Sequence, residues 1–140
     1  MSFPWLAIDS HCNAYLVWVA GGQVYLSVSP IDDARNNPTT GRPGTFWTPK
    51  AKVNIPAVGS AVFPEVTAGD SGSIGVTYMG SEDCTGVSDN CPNAAHWNTY
   101  AAIIPDALAL VRGDADVGSH RQGEPPDRAP RSGLHRGYDL

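Results

Sequence analysis

Apolar residues fall in short runs separated by polar, glycine-rich turns, and the runs have the length and the β-branched and aromatic content of strands. The pattern predicts strands over residues 4–8, 14–20, 23–29, 46–54, 61–68, 73–79 and 98–105. Gly21-Gly22 has the form of a two-residue hairpin turn. Residues 9–13 and Gly69-Asp70-Ser71-Gly72 are turn clusters, and residues 30–45 form a long polar loop. Strands joined by tight turns pair as antiparallel meanders. The second strand is apolar on both sides, with Tyr15, Val17 and Val19 on one and Leu16, Trp18 and Ala20 on the other. A sheet covered on one side only would alternate apolar with polar, so this strand is expected to be sandwiched between two neighbouring sheets.

The pattern also repeats. Phe3-Pro4-Trp5-Leu6-Ala7-Ile8-Asp9-Ser10 returns sixty residues later as Phe63-Pro64-Glu65-Val66-Thr67-Ala68-Gly69-Asp70. Tyr15-Leu16-Val17-Trp18-Val19 lies over Gly75-Val76-Thr77-Tyr78-Met79 at the same offset. Val24-Tyr25-Leu26-Ser27-Val28 recurs as Thr99-Tyr100-Ala101-Ala102-Ile103, displaced further by an insertion. A period of this size, made of strands, points to a stacked or radial repeat. The expectation is an all-β chain of antiparallel four-stranded blades of a β-propeller. Residues 3–54 would be one complete blade, 61–110 most of a second, and 111–140 a disordered tail. Pro4 and Pro64 suit a strand with a free edge. A β-sandwich is the rival fold; it explains the strands but not the repeated Phe-Pro opening.

Composition narrows the chemistry. Glycine and proline are abundant, and the net charge of −5 gives no basic field for nucleic acid. No apolar run approaches the roughly 20 residues that span a bilayer. No basic segment followed by an apolar one marks a signal peptide. The chain starts almost directly in a strand, so Met1 is expected to be a start inside a longer reading frame. Of the three cysteines, Cys84 and Cys91 share one polar loop. A disulfide between them would imply an oxidising compartment; two reduced thiols in a cytosolic loop are the alternative. No second Cys/His pair stands at zinc-ligand spacing. Cys12 is expected to be a free thiol in a turn. Oxygen ligands from Glu82, Asp83 and Asp89 could hold calcium, although the regular spacing of an EF-hand loop is missing and a solvated loop is the plainer reading. From Arg112 onward the strand pattern stops, and five of the seven arginines stand there beside acidic residues that offset them. That region is expected to be a disordered tail, a basic arm, or a segment out of frame with its ancestor.

The stretch from Tyr25 to Ser29, a turn, then Gly44-Thr45-Phe46-Trp47 and Lys52-Val53-Asn54 resembles an Asp-box of sialidase-like β-propellers. The resemblance assigns Ser29, Asp32 or Asp33, Gly44 and Trp47 to the box, with an insertion over residues 34–43 between its Asp and its Gly. It implies a secreted or cell-envelope parent that hydrolyses or binds terminal sugars of glycans and needs no cofactor. A non-catalytic propeller serving as an interaction scaffold is the alternative. Sialidases use an arginine cluster, a tyrosine nucleophile with a glutamate, and an aspartate acid/base. Here the propeller-like part holds only Arg35 and Arg42, and no Phe-Arg-Ile-Pro segment precedes the first blade. Glu65, Asp9 and Asp70 are the carboxylate candidates, each with the ordinary reading of a solvated turn or strand-end residue. Trp5, Trp18, Trp47, Tyr78 and Tyr100 read as core, and Trp97 as the more exposed tryptophan. The chain alone is expected to be inactive and to associate through an uncovered blade face.

Overall fold

The computed structural model describes residues 3–33, 46–113 and 121–122. Strands β1 (Trp5–Ile8), β2 (Ala14–Ala20), β3 (Gln23–Ser29) and β4 (Ala51–Lys52) form one sheet in sequential order. Strands β5 (Ser60–Ala68), β6 (Ile74–Ser81), β7 (Asn98–Ile104) and the two-residue β8 (Arg121–Gln122) form a second in the same order. All pairs are antiparallel. Two short 3-10 helices, Ser88–Asn90 and Ala107–Arg112, are the only helical turns among the described residues. Each sheet is therefore a simple meander, without the crossed connections of a Greek key.

The repeat seen in the sequence is a repeat of hydrogen-bond register. Trp5 faces Val17 and Ile8 faces Ala14; sixty residues on, Glu65 faces Thr77 and Ala68 faces Ile74. The second hairpin behaves alike: Val19 opposite Val24 becomes Met79 opposite Thr99, and Ala14 opposite Ser29 becomes Ile74 opposite Ile104. Since a slip of one residue would swap the faces of a strand, equivalent positions point the same way in both sheets.

Gly21 and Gly22 close the β2–β3 hairpin with φ of 57° and 77°. Both left-handed conformations match the turn that follows strand twist, and glycine adopts them without steric cost. Gly22 has a second constraint, because a Cβ there would fall on the Gly86 carbonyl. Its own carbonyl accepts the Ala61 N–H at 2.8 Å, so the hairpin tip of the first sheet is fastened to the start of β5.

The fourth strand is shorter than the predicted 46–54, because Pro49 has no N–H to donate and its ring interrupts the ladder. Side chains take over on either side. Thr48 Oγ1 accepts the Val28 N–H at 3.0 Å, and Asn54 Oδ1 accepts the Val24 N–H at 2.9 Å. Strand β5 carries a bulge between Val62 and Glu65, where Phe63 adopts φ 51° and Pro64 follows. Proline is tolerated there because β5 is an edge strand.

One core fills the space between the sheets. Tyr15, Val17, Val24, Leu26 and Val28 of the first sheet meet Val66, Ile74, Val76, Tyr78, Tyr100, Ala102 and Ile104 of the second. Burying one such side chain is worth about 1.5–3 kcal/mol. Tyr78 and Tyr100 stack with ring centroids 5.4 Å apart. The other face of β2 is not covered as expected: Leu16 and Trp18 are half-buried and Ala20 is exposed, because no sheet among the described residues lies beyond them. Trp5 is likewise no core residue. It is 49% exposed, since β1 is an edge strand and the ring reaches the rim of the second sheet. Trp47 and Trp97 are both half-buried. Cys84 and Cys91 are joined by a disulfide, with Cα atoms 5.3 Å apart, and Cys12 is a free, exposed thiol. The short β8 pairs with Ala102 and Ile103 from within the segment read as a strandless tail. Residues 114–120 and 123–140 lie outside the described residues.

Candidate functional site

The turn between β1 and β2 is built around Asp9. The Asp9 N–H donates to the Asn13 carbonyl and the Cys12 N–H to the Asp9 carbonyl, each at 3.0 Å, with Cys12 at φ 66°. Inside this loop the Asp9 carboxylate is buried. Its Oδ1 accepts the backbone N–H of His11 at 2.9 Å and of Asn13 at 3.0 Å. Its Oδ2 accepts the Asn13 amide at 2.9 Å, the Tyr15 hydroxyl at 2.6 Å and the Gly72 N–H at 3.0 Å. Gly72 belongs to the equivalent turn of the second sheet. A further bond, from the Ser10 N–H to the Gly69 carbonyl at 3.0 Å, lies alongside.

Burial by itself would raise the Asp9 carboxyl. The bonds from Tyr15, Asn13 and Gly72 outweigh it and hold the group down to about 2. A carboxylate offers about four lone-pair sites, and those of Asp9 are taken by protein donors. It carries no proton to give at neutral pH, and no free acceptor for one. Its role is to clamp the two sheets. Tyr15 is correspondingly pushed up, first by burial and then by the Asp9 carboxylate.

The other candidates stand apart from it. Asp70 is exposed in the turn neighbouring Asp9, where its carbonyl accepts the Ser73 N–H at 2.9 Å. Glu65 is exposed on the outer face of β5, opposite Thr77, in a shallow trough shared with Trp5, Thr67 and Ile103. Thus Asp9 and Asp70 share one end of the molecule, while Glu65 is on the outer face of a strand. Burial raises Tyr78 to about 12, and the Tyr100 hydroxyl donates to Glu82 at 2.8 Å. Of the Asp-box residues, Ser29 is buried at the end of β3, Asp32 is exposed in the turn after it, and Trp47 is half-buried. Gly44, Arg35 and Arg42 lie outside the described residues.

The suggested calcium loop is already internally bonded. Asp83 accepts the His96 backbone N–H at 2.7 Å and lies 2.9 Å from His96 Nδ1. These bonds, the backbone one foremost, lower its carboxyl. Among the described residues no three His, Cys, Asp or Glu side chains gather as a metal site.

Beside the Asp9 turn lies a cleft of mixed character, with His11, Asn13, Asp32, Ser71 and Arg112 next to the apolar Pro30, Leu108 and Val111. Asn13 is fixed from both ends. Its Oδ1 accepts the Ile31 N–H at 3.1 Å, while its amide reaches Asp9 and, at 3.3 Å, Ser71 Oγ. Arg112 is ion-paired with Asp106. The cleft offers carboxylate, hydroxyl and imidazole groups, donors and acceptors of the kind that sugar hydroxyls use. His11, Asn13 and Ser71 were not singled out from the sequence. The local spacing of Asp9, Asn13 and Tyr15 was readable as a side-chain-closed turn, but the partners at 71 and 72 are brought in by the sheet packing alone. Comparison with family models, with curated proteins and with solved structures finds no match to this chain.

Proposed function

We propose that this chain is a two-blade segment of a sialidase-like β-propeller that binds terminal sugars of glycans and does not cleave them. The observation that carries the reading is the repeated register: two four-stranded meanders, alike in the pairing of their first three strands, packed face to face. Repetition of such meanders around an axis is how propellers are made. Binding is favoured over hydrolysis by the state of the carboxylates. Glycoside hydrolysis needs an acid able to hold a proton and a nucleophile or base facing it. Asp9 is a saturated clamp, while Asp70 and Glu65 face solvent in different places. The cleft at His11, Asp32 and Ser71, with apolar Leu108 and Val111 beside them, is the place for a sugar in this reading.

The test is calorimetric titration of the purified chain with sialyllactose and with neutral monosaccharides, alongside a fluorogenic sialoside assay. Binding without turnover is expected, and Asp32→Ala should weaken it about tenfold, as the loss of one charged hydrogen-bond partner does. Turnover of the sialoside would return the chain to the hydrolases. A flat titration with every sugar would remove the glycan reading. An interaction scaffold is the second reading, favoured by the apolar outer face of the first sheet, where Leu6 and Ile8 are 53% and 59% exposed.

A further inference from the structure

The two outer faces of the molecule are related by the repeat itself. The outer face of the first sheet carries Leu6, Ile8, Leu16, Trp18 and Tyr25. Their counterparts in the second sheet are Val66, Ala68, Val76, Tyr78 and Tyr100, which form the inner face that packs on the first sheet. The outer face of the second sheet carries Glu65, Thr67, Thr77, Met79, Ala101 and Ile103. Their counterparts in the first sheet are Trp5, Ala7, Val17, Val19, Leu26 and Val28, on the face that receives the second sheet. Among the described residues the chain thus leaves open, at its two ends, the positional counterparts of the two halves of an interface it has already made once in its middle.

We infer that a second copy of this chain docks head to tail, its Leu6–Ile8–Trp18 face on the Ile103–Thr77 face of the first, and that the contact closes into a ring. The operation that carries the first sheet onto the second also carries the second onto the first sheet of the next copy. An interface between unlike faces propagates until rotation closes it. With blades in the usual propeller numbers of about four to eight, two-sheet chains close as about two to four copies. Burial in such a contact accounts for Leu6, Ile8 and Ile103, large apolar side chains about half exposed on otherwise regular strands. The inference rests on the blade reading of the fold and does not depend on whether a sugar is bound.

The experiment is sedimentation velocity with multi-angle light scattering on the full chain, together with two surface variants, Leu6→Lys and Ile103→Lys. The wild type is expected as one discrete species of about two to four times the 14.8 kDa chain mass. Each variant alone should sediment as a monomer, with unchanged far-ultraviolet dichroism because both side chains are at the surface. Mixed in equal amounts, they should form a heterodimer, since one keeps the first-sheet face and the other the second-sheet face. A monomeric wild type overturns the proposal. Continued association of Ile103→Lys, with no heterodimer on mixing, overturns it in favour of a symmetric contact between first-sheet faces. If Leu6→Lys fails to fold, Ile8→Lys carries the same test on the same face. Failure of the glycan reading would show in the titrations and leave these masses unmoved.

Discussion

Neighbouring residues of one sheet do different work here. Leu26 of β3 is fully buried between the sheets, whereas Trp18 of β2, on the opposite face of the same sheet, is half-buried. Its ring lies against Tyr25 at 5.9 Å, and Lys50 Nζ sits 4.4 Å above the Tyr25 ring. Leu26→Ala should therefore cost about 2–5 kcal/mol, the usual range for a buried leucine. Trp18→Ala, despite its larger loss of atoms, should cost about 1 kcal/mol. Urea denaturation of the two variants in the monomeric Ile103→Lys background, at neutral pH, reads both numbers, and the reverse order would mean that the outer face is covered within a single chain. Phe63 makes the complementary point about backbone. It is 66% exposed and held at φ 51°, where a side chain costs about 1–2 kcal/mol. Replacing it by Asn, which tolerates that conformation, is expected to leave the urea midpoint unchanged or to raise it slightly. A clear fall would show that the exposed ring contributes contacts to the fold.

At the scale of elements, strand identity was legible and strand completeness was not. The alternation of apolar runs with glycine turns located β2 and β3 to the residue, because tight hairpins leave the chain no latitude. The same reading overran β4, since Phe46, Trp47 and Val53 look strand-like while Pro49 denies them a ladder. Asn54 repairs that edge. It is buried, accepts from Val24, and donates to the Gln23 side chain at 3.0 Å and the Val58 carbonyl at 3.1 Å. Asn54→Leu keeps the branched shape and strands three partners, so it should cost about 2–4 kcal/mol from groups left buried without bonds. Hydrogen exchange at the Val24 amide should accelerate with it. Protection of Val24 equal to wild type would show that the side chain is dispensable to the edge. The disulfide loop was legible for a different reason, that two cysteines in one short polar loop are close however the rest folds. Reduction should lower stability by about 2 kcal/mol, the chain-entropy value for a loop this short, seen as a lower melting temperature in dithiothreitol.

Across the whole molecule, the contacts that join the sheets were the hardest to read. The repeat revealed that there are two equivalent meanders. It could not reveal that Asp9 of the first would be buried and bonded to Gly72 of the second, because a carboxylate beside a turn looks the same in sequence whether water or a neighbouring sheet supplies its donors. That bond gives the acid response of the fold. The Asp9 carboxyl is lowered from 3.8 to about 2 in the folded chain, so its stabilisation is complete above the unfolded value and is lost as pH falls from about 4 toward 2. A shift of that size corresponds to about 2 kcal/mol. Asp9→Asn keeps an acceptor for His11 and Asn13 but presents an N–H₂ where Tyr15 and Gly72 donate. It should lose about 2–3 kcal/mol at neutral pH, as buried donors are left unpaired. Its stability should then fall less than that of the wild type on acidification, since the group that titrates is gone. Urea midpoints measured at neutral pH and near pH 3 for both chains decide the matter. Parallel losses in the two would mean that other carboxylates set the acid limit and that Asp9 does not clamp the sheets together.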